Sequence, residues 1–449
     1  MMDVITNQGS AVTDAANSGI LFPPMDLLNG YAPVFLVAFT VTLLATPIVR
    51  KIAVKSGIID TPDRQRKLHA YPVAYLGGLA VFLGVIVSIL SATFLTRGDA
   101  SLLKVIPFSV IIGMVAIVFT GLADDIWKWD PRLKVAGQLI AAAALAIEDV
   151  GPKLAQGALV PLFGTPEEVI FSMGQYALHN AELYYWIGTA VIAIFVIGGC
   201  NAANLIDGLD GLLTGSTAIT AIGLLIVSLL MAMTDRVEDP EQSLVGMRVV
   251  LSLALLGATL GFLPFNFNPA MIFLGDCGSL LLGYLCVVII LSFGEKGQTE
   301  LVIAGLVIFG LPILDTILAI IRRKLAGLPF HSADNNHIHH LLKRSLGTVK
   351  LAVFSLYGIT GCFMVLGVCM AATRLLTQTR VLAVVSLAFA FFAFISAIAI
   401  KVARQATWQV QEKVAERSEQ VGDHAGHTAS ASSIPLAAPP AATLPHKSV

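Results

Sequence analysis

The stretch GLADDIWKWD, Gly121–Asp130, closes an apolar run, IPFSVIIGMVAIVFTGLA, over 106–123. A membrane-spanning helix needs about 20 apolar residues, so this run reads as a buried span. Two adjacent acids at its end are costly to take out of water and need a partner. The rest of the chain has the same character. Of 449 residues, 56% are hydrophobic and 13% are charged, with a mean hydropathy of +0.82. Soluble globular chains carry about 25% charged residues. The sequence therefore predicts an all-α polytopic integral membrane protein. A net charge of −1 gives no bulk basic field, which argues against a nucleic-acid partner.

About eleven stretches are apolar enough to span, near 31–50, 77–96, 105–122, 133–149, 185–203, 211–233, 245–264, 270–293, 301–321, 350–373 and 381–401. Lys and Arg concentrate in alternate loops. The first loop alone holds Arg50, Lys51, Lys55, Arg64, Arg66 and Lys67. The positive-inside rule puts that loop in the cytoplasm, the N-terminus outside and the C-terminus inside. The expected organisation is an extracytoplasmic segment (1–30), a transmembrane catalytic domain (31–402) and a cytoplasmic, largely disordered tail (403–449) rich in Ala, Ser and Pro. Residues 1–30 lack the basic start of a cleavable signal, so the first span is expected to serve as an uncleaved one. The outer loop 148–184 is partly apolar and is expected to lie along the interface or dip back in. The cysteines show no CxxC and read as packing residues.

The unusual polar clusters all fall in loops assigned to the cytoplasmic side. They are RKLHAYPVAYLGG (66–78), DDIWKWDPRLKVAGQ (124–138), NAANLIDGLDGL (201–212), NFNPAMIFLGDCGS (266–279) and HSADNNHIHHLL (331–342). Solvated loop residues would not sort this way, whereas one shared site would. Asp124 and Asp125 diverge by about 100° on a helix, so they suit two partners better than one chelated ion. A pair of interfacial helix caps would also account for them. Asp276 lies within a turn of apolar residues on both sides, and an ionised carboxylate there needs a cation, a dipole or strong hydrogen bonds. Asn204, Asp207 and Asp210 recur at a spacing of three, and Asp210 also suits the N-cap of the following helix. Mixed carboxylate and amide oxygens suit Mg²⁺, which takes one or two carboxylates plus substrate phosphates. His337, His339 and His340 lack zinc spacing and suit a phosphate better through hydrogen bonds and partial charge, with Lys343 and Arg344 nearby. Together these features describe phosphoryl transfer at a membrane surface. No Walker A pattern is present. Position 128 is Lys, which breaks the DDxxD of soluble prenyl synthases, and DGLDGLLTG departs from the CDP-alcohol phosphotransferase pattern.

Four blocks in order carry a resemblance: DD…D-P-x-x-K-x-x-G-Q, N-A-x-N-x-x-D-G-x-D-G-L, N-x-N-P-A…F-x-G-D-x-G-S and H-x-H-H. Over about 31–400 the chain resembles the polyprenyl-phosphate N-acetylhexosamine-1-phosphate transferases of glycosyltransferase family 4. The interrupted HIHH looks like the undecaprenyl-phosphate GlcNAc-1-phosphate transferase branch rather than the muramoyl-pentapeptide branch with its unbroken HHH. The resemblance implies a UDP-N-acetylhexosamine donor, an undecaprenyl phosphate acceptor and Mg²⁺, with Mn²⁺ as a substitute. It also implies the bacterial inner membrane, and it is compatible with a homodimer.

The roles it implies run as follows. Asp276 would ligate the metal, supported by Asn204. Asp124 would orient or deprotonate the lipid phosphate, with Asp125 beside it, and Lys134 would contact phosphate. Asp210, Gly208 and Leu209 would meet the uracil, Phe273 would stack on it, and Asn266 and Asp207 would shape the pocket. His339 and His340 would bind the pyrophosphate beside His337, and Lys67 and His69 would complete the anionic rim. Two departures remove positive charge: Ala74 and Tyr75 stand where the family often has Pro and Arg, and Asn335 and Asn336 precede the histidines. Three alternatives stay open: a phospho-MurNAc-pentapeptide transferase, a transferase for another UDP-HexNAc, and an ion-coupled transporter with Asp276 and Asp207 as a midplane cation site.

Overall fold

A computed structural model describes residues 21–60, 72–96, 106–147, 150–173, 176–234, 243–325 and 337–377, with isolated positions elsewhere. The chain divides into two compact units at Phe392, and every element named here belongs to the first. Its helices in order are α1 (Pro24–Lys55), α2 (Gly77–Leu95), α3 (Phe108–Trp127), α4 (Pro131–Ala146), α5 (Val150–Phe163), α6 (Asn180–Ile206), α7 (Leu212–Thr234), α8 (Val245–Asn266), α9 (Gly275–Ser292), α10 (Thr299–Ile308), α11 (Gly310–Leu325), α12 (Ile338–Leu346) and α13 (Val349–Thr377). Two short antiparallel pairs accompany them: β1 (Ile59–Asp60) with β2 (Val73–Ala74), and β3 (Val169–Met173) with β4 (Tyr176–His179).

Among the described residues, eight helices are long and apolar enough to cross a membrane: α1, α2, α3, α6, α7, α8, α9 and α13. The α10–α11 pair, bent by 81°, makes a ninth if counted as one broken span. Ten of the expected spans coincide with helices, but not all of them qualify. α4 has 16 residues, too few for the expected span at 133–149, and the expected span at 301–321 is the broken pair. The expected span at 381–401 lies outside the described residues, as does the tail. The loop expected to lie outside holds α5 and the β3–β4 hairpin, whose Phe171 and Leu178 are exposed.

α9 is the axis of the bundle, with 94% of its apolar window buried. It packs against α3, α6 and α2. Missing side chains let its N-terminus sit so close to its neighbours. A Cβ on Gly121 would come within 2.5 Å of Cys277 Cα, and one on Gly78 within 2.1 Å of Gly278 N. Any larger residue would push α3 or α2 off the acid-bearing turn of α9.

The opening stretch forms the hinge between α3 and α4. Lys128 adopts a left-handed conformation (φ 51°) that ends α3. Asp130 then accepts a hydrogen bond from the Arg132 backbone N–H at 2.7 Å, and Pro131 occupies the first helical position, where its missing N–H costs nothing. Successive spans reverse direction, so the C-terminal ends of α1, α3, α6 and α8 meet the N-terminal ends of α2, α4, α7 and α9. Long-range bonds knit that end together. Arg50 Nε donates to Met271 O at 3.0 Å, Gly77 N to Phe273 O at 3.0 Å, and Phe273 N to Ala74 O at 2.8 Å.

Candidate active site

Acids from two polar clusters converge on one lysine. Lys134 Nζ, in the first turns of α4, pairs with Asp124 Oδ2 at 3.0 Å and also with Asp276 Oδ2. Asp276 Oδ1 accepts from Asn204 Nδ2 at 2.8 Å, and the same amide donates to Ser279 Oγ at 2.9 Å. Four groups from α3, α4, α6 and α9 thus form one partly buried chain. Asp124 and Asp125 do point to different partners. Asp125 Oδ1 accepts the Asp276 N–H at 2.8 Å and Oδ2 accepts the Cys277 N–H at 3.0 Å. Asp125 therefore caps α9 from another helix, satisfying donors that have no partner within α9. Gly275 makes room for it: its φ is +73°, and a Cβ there would meet Asp125 Oδ2 at 2.6 Å.

Beside this chain opens a cavity of about 580 Å³. Asn204, Asp207, Gly208, Leu209, Asp210, Asn266, Phe273 and Asp276 all line it. Asn266 is a brace within that wall: it accepts from Thr214 Oγ1 at 2.8 Å and donates to Ile272 O at 3.1 Å. Asp210 spends Oδ2 on Asn268 Nδ2 (2.8 Å) and the Ala270 N–H (3.1 Å), so it ties the 266–270 loop to α7. Asp207 lines the cavity. Burial first, then repulsion from Asp276, Asp125 and Asp210, pushes its pKa up to about 8. The wall has a surplus of acids that calls for a cation. Among the described residues no three or more His, Cys, Asp or Glu side chains form a metal cage. The oxygens of Asp276 and Asn204 still fit a hard cation that takes its remaining ligands from phosphate and water.

The histidines divide their tasks. His340 lines the cavity with Lys343. His339 is only 2% exposed and packs its Nε2 where a Gly208 Cβ would lie, 2.2 Å away. Burial and then the adjacent His340 push the His339 pKa down to about 3, and burial and then His337 lower that of His340. Partial positive charge was expected on these rings. At neutral pH His339 is instead a neutral imidazole, because a buried ring beside other basic groups sheds its proton. His337 is turned away from the cavity, with Nδ1 2.8 Å from Asp315 Oδ2. Lys67 and His69 lie outside the described residues.

Comparison with known proteins places the chain. The family model for glycosyl transferase family 4 matches residues 107–294. A Bacillus subtilis protein named "Probable undecaprenyl-phosphate N-acetylglucosaminyl 1-phosphate transferase" is 32% identical over 324 residues, covering 72% of this chain and 80% of its own length. The chain belongs to glycosyl transferase family 4. A decaprenyl-phosphate N-acetylglucosaminephosphotransferase of Mycolicibacterium smegmatis is 33% identical over 352 residues, covering 74% of this chain and 79% of its own. A phospho-N-acetylmuramoyl-pentapeptide-transferase of Bacillus thuringiensis is 30% identical over 320 residues, covering 69% and 87%. The family-4 chain falls in the polyprenyl-phosphate GlcNAc-1-phosphate transferase branch. It is a multi-pass membrane enzyme, a phosphotransferase, so the transporter alternative falls away.

Some cavity residues of this family-4 enzyme were given no role from the sequence. Asp60 lines the wall and looks like an ordinary loop residue until the fold places it, and Asn268, inside the N-x-N-P-A block, lines it too. Tyr75, noted only as a departure, sits edge-on to Phe273 with centroids 5.9 Å apart and hydrogen-bonds to Asp60. Burial and then the charge of Asp60 hold its hydroxyl protonated. Asp315 was missed because it lies inside an apolar run.

Proposed function

We propose that this enzyme transfers a HexNAc-1-phosphate, GlcNAc-1-phosphate in the first instance, from a UDP-sugar to undecaprenyl phosphate. UMP is the leaving product, and the lipid-linked sugar starts a cell-envelope glycan. The site faces the cytoplasm at the bacterial inner membrane, with the N-terminus outside and the C-terminus inside. One observation carries the reading. The Asp124–Lys134–Asp276–Asn204 chain stands at the edge of a cavity of about 580 Å³ that combines acids, a basic side chain and an aromatic ring. That size and lining suit a nucleotide.

The chemistry follows from the placement. An oxygen of the lipid phosphate forms a bond to the sugar-linked phosphorus, and the bond from that phosphorus to the UMP oxygen breaks. Asp124 orients the acceptor phosphate and takes up a proton it still carries. Lys134, held between Asp124 and Asp276, meets the phosphate oxygens as they gain charge. Phe273 stacks on the uracil, and Asp210, braced through Oδ2, meets its edge. Asp207, Gly208 and Leu209 form the floor beneath it. His340 and Lys343 face the diphosphate, with His339 behind them. Asp276 and Asn204 would hold Mg²⁺, or Mn²⁺ in its place, and the ion would offset diphosphate charge. Asp124 is paired with Lys134 and caps no backbone donor, which suits a group that orients the acceptor, so a single displacement is the simpler course.

The test is direct. Purified protein receives labelled UDP-GlcNAc, undecaprenyl phosphate and Mg²⁺, and UMP and lipid-linked sugar are measured. A panel with UDP-GalNAc and UDP-MurNAc-pentapeptide then ranks donors. No product from any UDP-HexNAc, beside a working control enzyme, would overturn the reading.

A further inference from the structure

Asp315 is 1% exposed, inside α11, and does not line the cavity. A carboxylate buried that deeply in an apolar helix needs a task. Its Oδ2 lies 2.8 Å from His337 Nδ1, and its Oδ1 accepts the Ile338 backbone N–H at 2.9 Å. Ile338 is the first residue of α12, so Asp315 satisfies a helix-start donor from a different helix. His337, at the N-cap position, makes no side-chain cap of its own. Its ring stacks on His339 with centroids 5.6 Å apart and planes 9° apart, and His339 lies 4.3 Å from His340. His339 in turn rests on Gly208. α11 also packs against α6, the helix that leads into Asp207 and Gly208. The path from α11 through three histidines to the cavity floor and back is thus closed.

We propose that Asp315 and His337 form a positioning pair for the donor diphosphate. The carboxylate fixes His337 with its proton on Nδ1 and seats the start of α12. Those two constraints set His339 on Gly208 and aim His340 into the cavity. Asp315 acts through the histidines and touches no substrate. The inference rests on the reading above that His339 and His340 meet the pyrophosphate.

The experiment uses full-length purified protein with four changes: Asp315→Ala, His337→Leu, His337→Asn and the double Asp315→Ala/His337→Leu. An Asn amide N–H replaces the Nδ1–H, so His337→Asn keeps the bond to Asp315. Asp315→Ala and His337→Leu should each raise the donor KM roughly tenfold or more, the scale of a lost hydrogen bond to a charged group, and leave the KM for undecaprenyl phosphate unchanged. His337→Asn should stay within about threefold of the parent, and the double change should be no worse than either single one, because the pair acts as a unit. A purely structural role would lower yield and melting temperature but leave the donor KM of the folded fraction alone. That result, or additive effects in the double variant, would overturn the proposal. If Asp315→Ala does not fold, equal donor KM values for His337→Asn and His337→Leu would overturn it alone. If the parent protein turns over no UDP-sugar, the functional reading fails instead. The pair is then tested by ¹⁵N NMR of labelled histidine. A single Nδ1–H tautomer at His337 supports it, and a tautomer mixture in the parent protein refutes it.

Discussion

Replacing Asp125 with Asn separates the two adjacent acids. The carboxylate accepts two backbone N–H groups at the start of α9, at 2.8 and 3.0 Å. An Asn amide has one accepting oxygen, so one bond is lost and an N–H₂ is set against a backbone donor. A hydrogen bond to a charged group contributes about 1.5–3 kcal/mol. The loss falls on the turn that carries Asp276. If it is paid as misplacement of that carboxylate, turnover drops roughly 10- to 100-fold. The Mg²⁺ concentration for half-maximal rate should rise with it. Asp124→Asn should differ: its carboxylate pairs with Lys134 and caps nothing, so turnover should fall while thermal stability and half-saturating Mg²⁺ stay near the parent's. The assay is initial-rate transfer from labelled UDP-GlcNAc over a Mg²⁺ titration, alongside thermal unfolding in detergent. Asp125→Asn with parental activity and Mg²⁺ dependence would refute the reasoning. So would two variants with the same signature.

Asp276→Asn should abolish turnover and weaken the Mg²⁺ dependence, whereas Asp130→Ala should cost about 1 kcal/mol of cap energy and retain most of the activity, both read in the same rate assay. Asp207 is mostly neutral below about pH 8 and ionises above it. The UMP phosphate is almost fully ionised from pH 7 upward, its second pKa being about 6. UMP affinity measured by calorimetry without divalent cation should therefore fall roughly three- to tenfold from pH 7 to pH 9 as a like charge appears. The neutral Asp207→Asn should bind with nearly constant affinity, and a parallel fall in that variant would assign the effect elsewhere. Gly208→Ala puts a Cβ 2.2 Å from His339 Nε2, on a ring that is 2% exposed. It should raise the donor KM roughly tenfold, and an unchanged KM would show that His339 does not rest there.

Much of this protein could be read from local sequence. Hydrophobic runs set the helices because apolar surface has no other place to go. Asp130-Pro131 set the start of α4 because a cap and a ring-locked φ act within one turn. The ordered motifs pointed to the family, and ten apolar runs became helices. The same local view cannot tell a span from a bend. Run 301–321 looks continuous, yet it breaks into α10 and α11 with an 81° turn. It cannot weigh depth either. Asp315 in an apolar run and His337 in a polar one look unrelated until the fold brings them to 2.8 Å. The opening GLADDIWKWD shows both limits at once. The sequence by itself determined that two acids end a membrane helix and point to different partners. Only the tertiary structure decided which partners those are. Asp124 meets Lys134 within the same hairpin, while Asp125 caps a helix some 150 residues further along. Hydrogen bonds and burial are properties of three-dimensional neighbours, and chain spacing does not encode them.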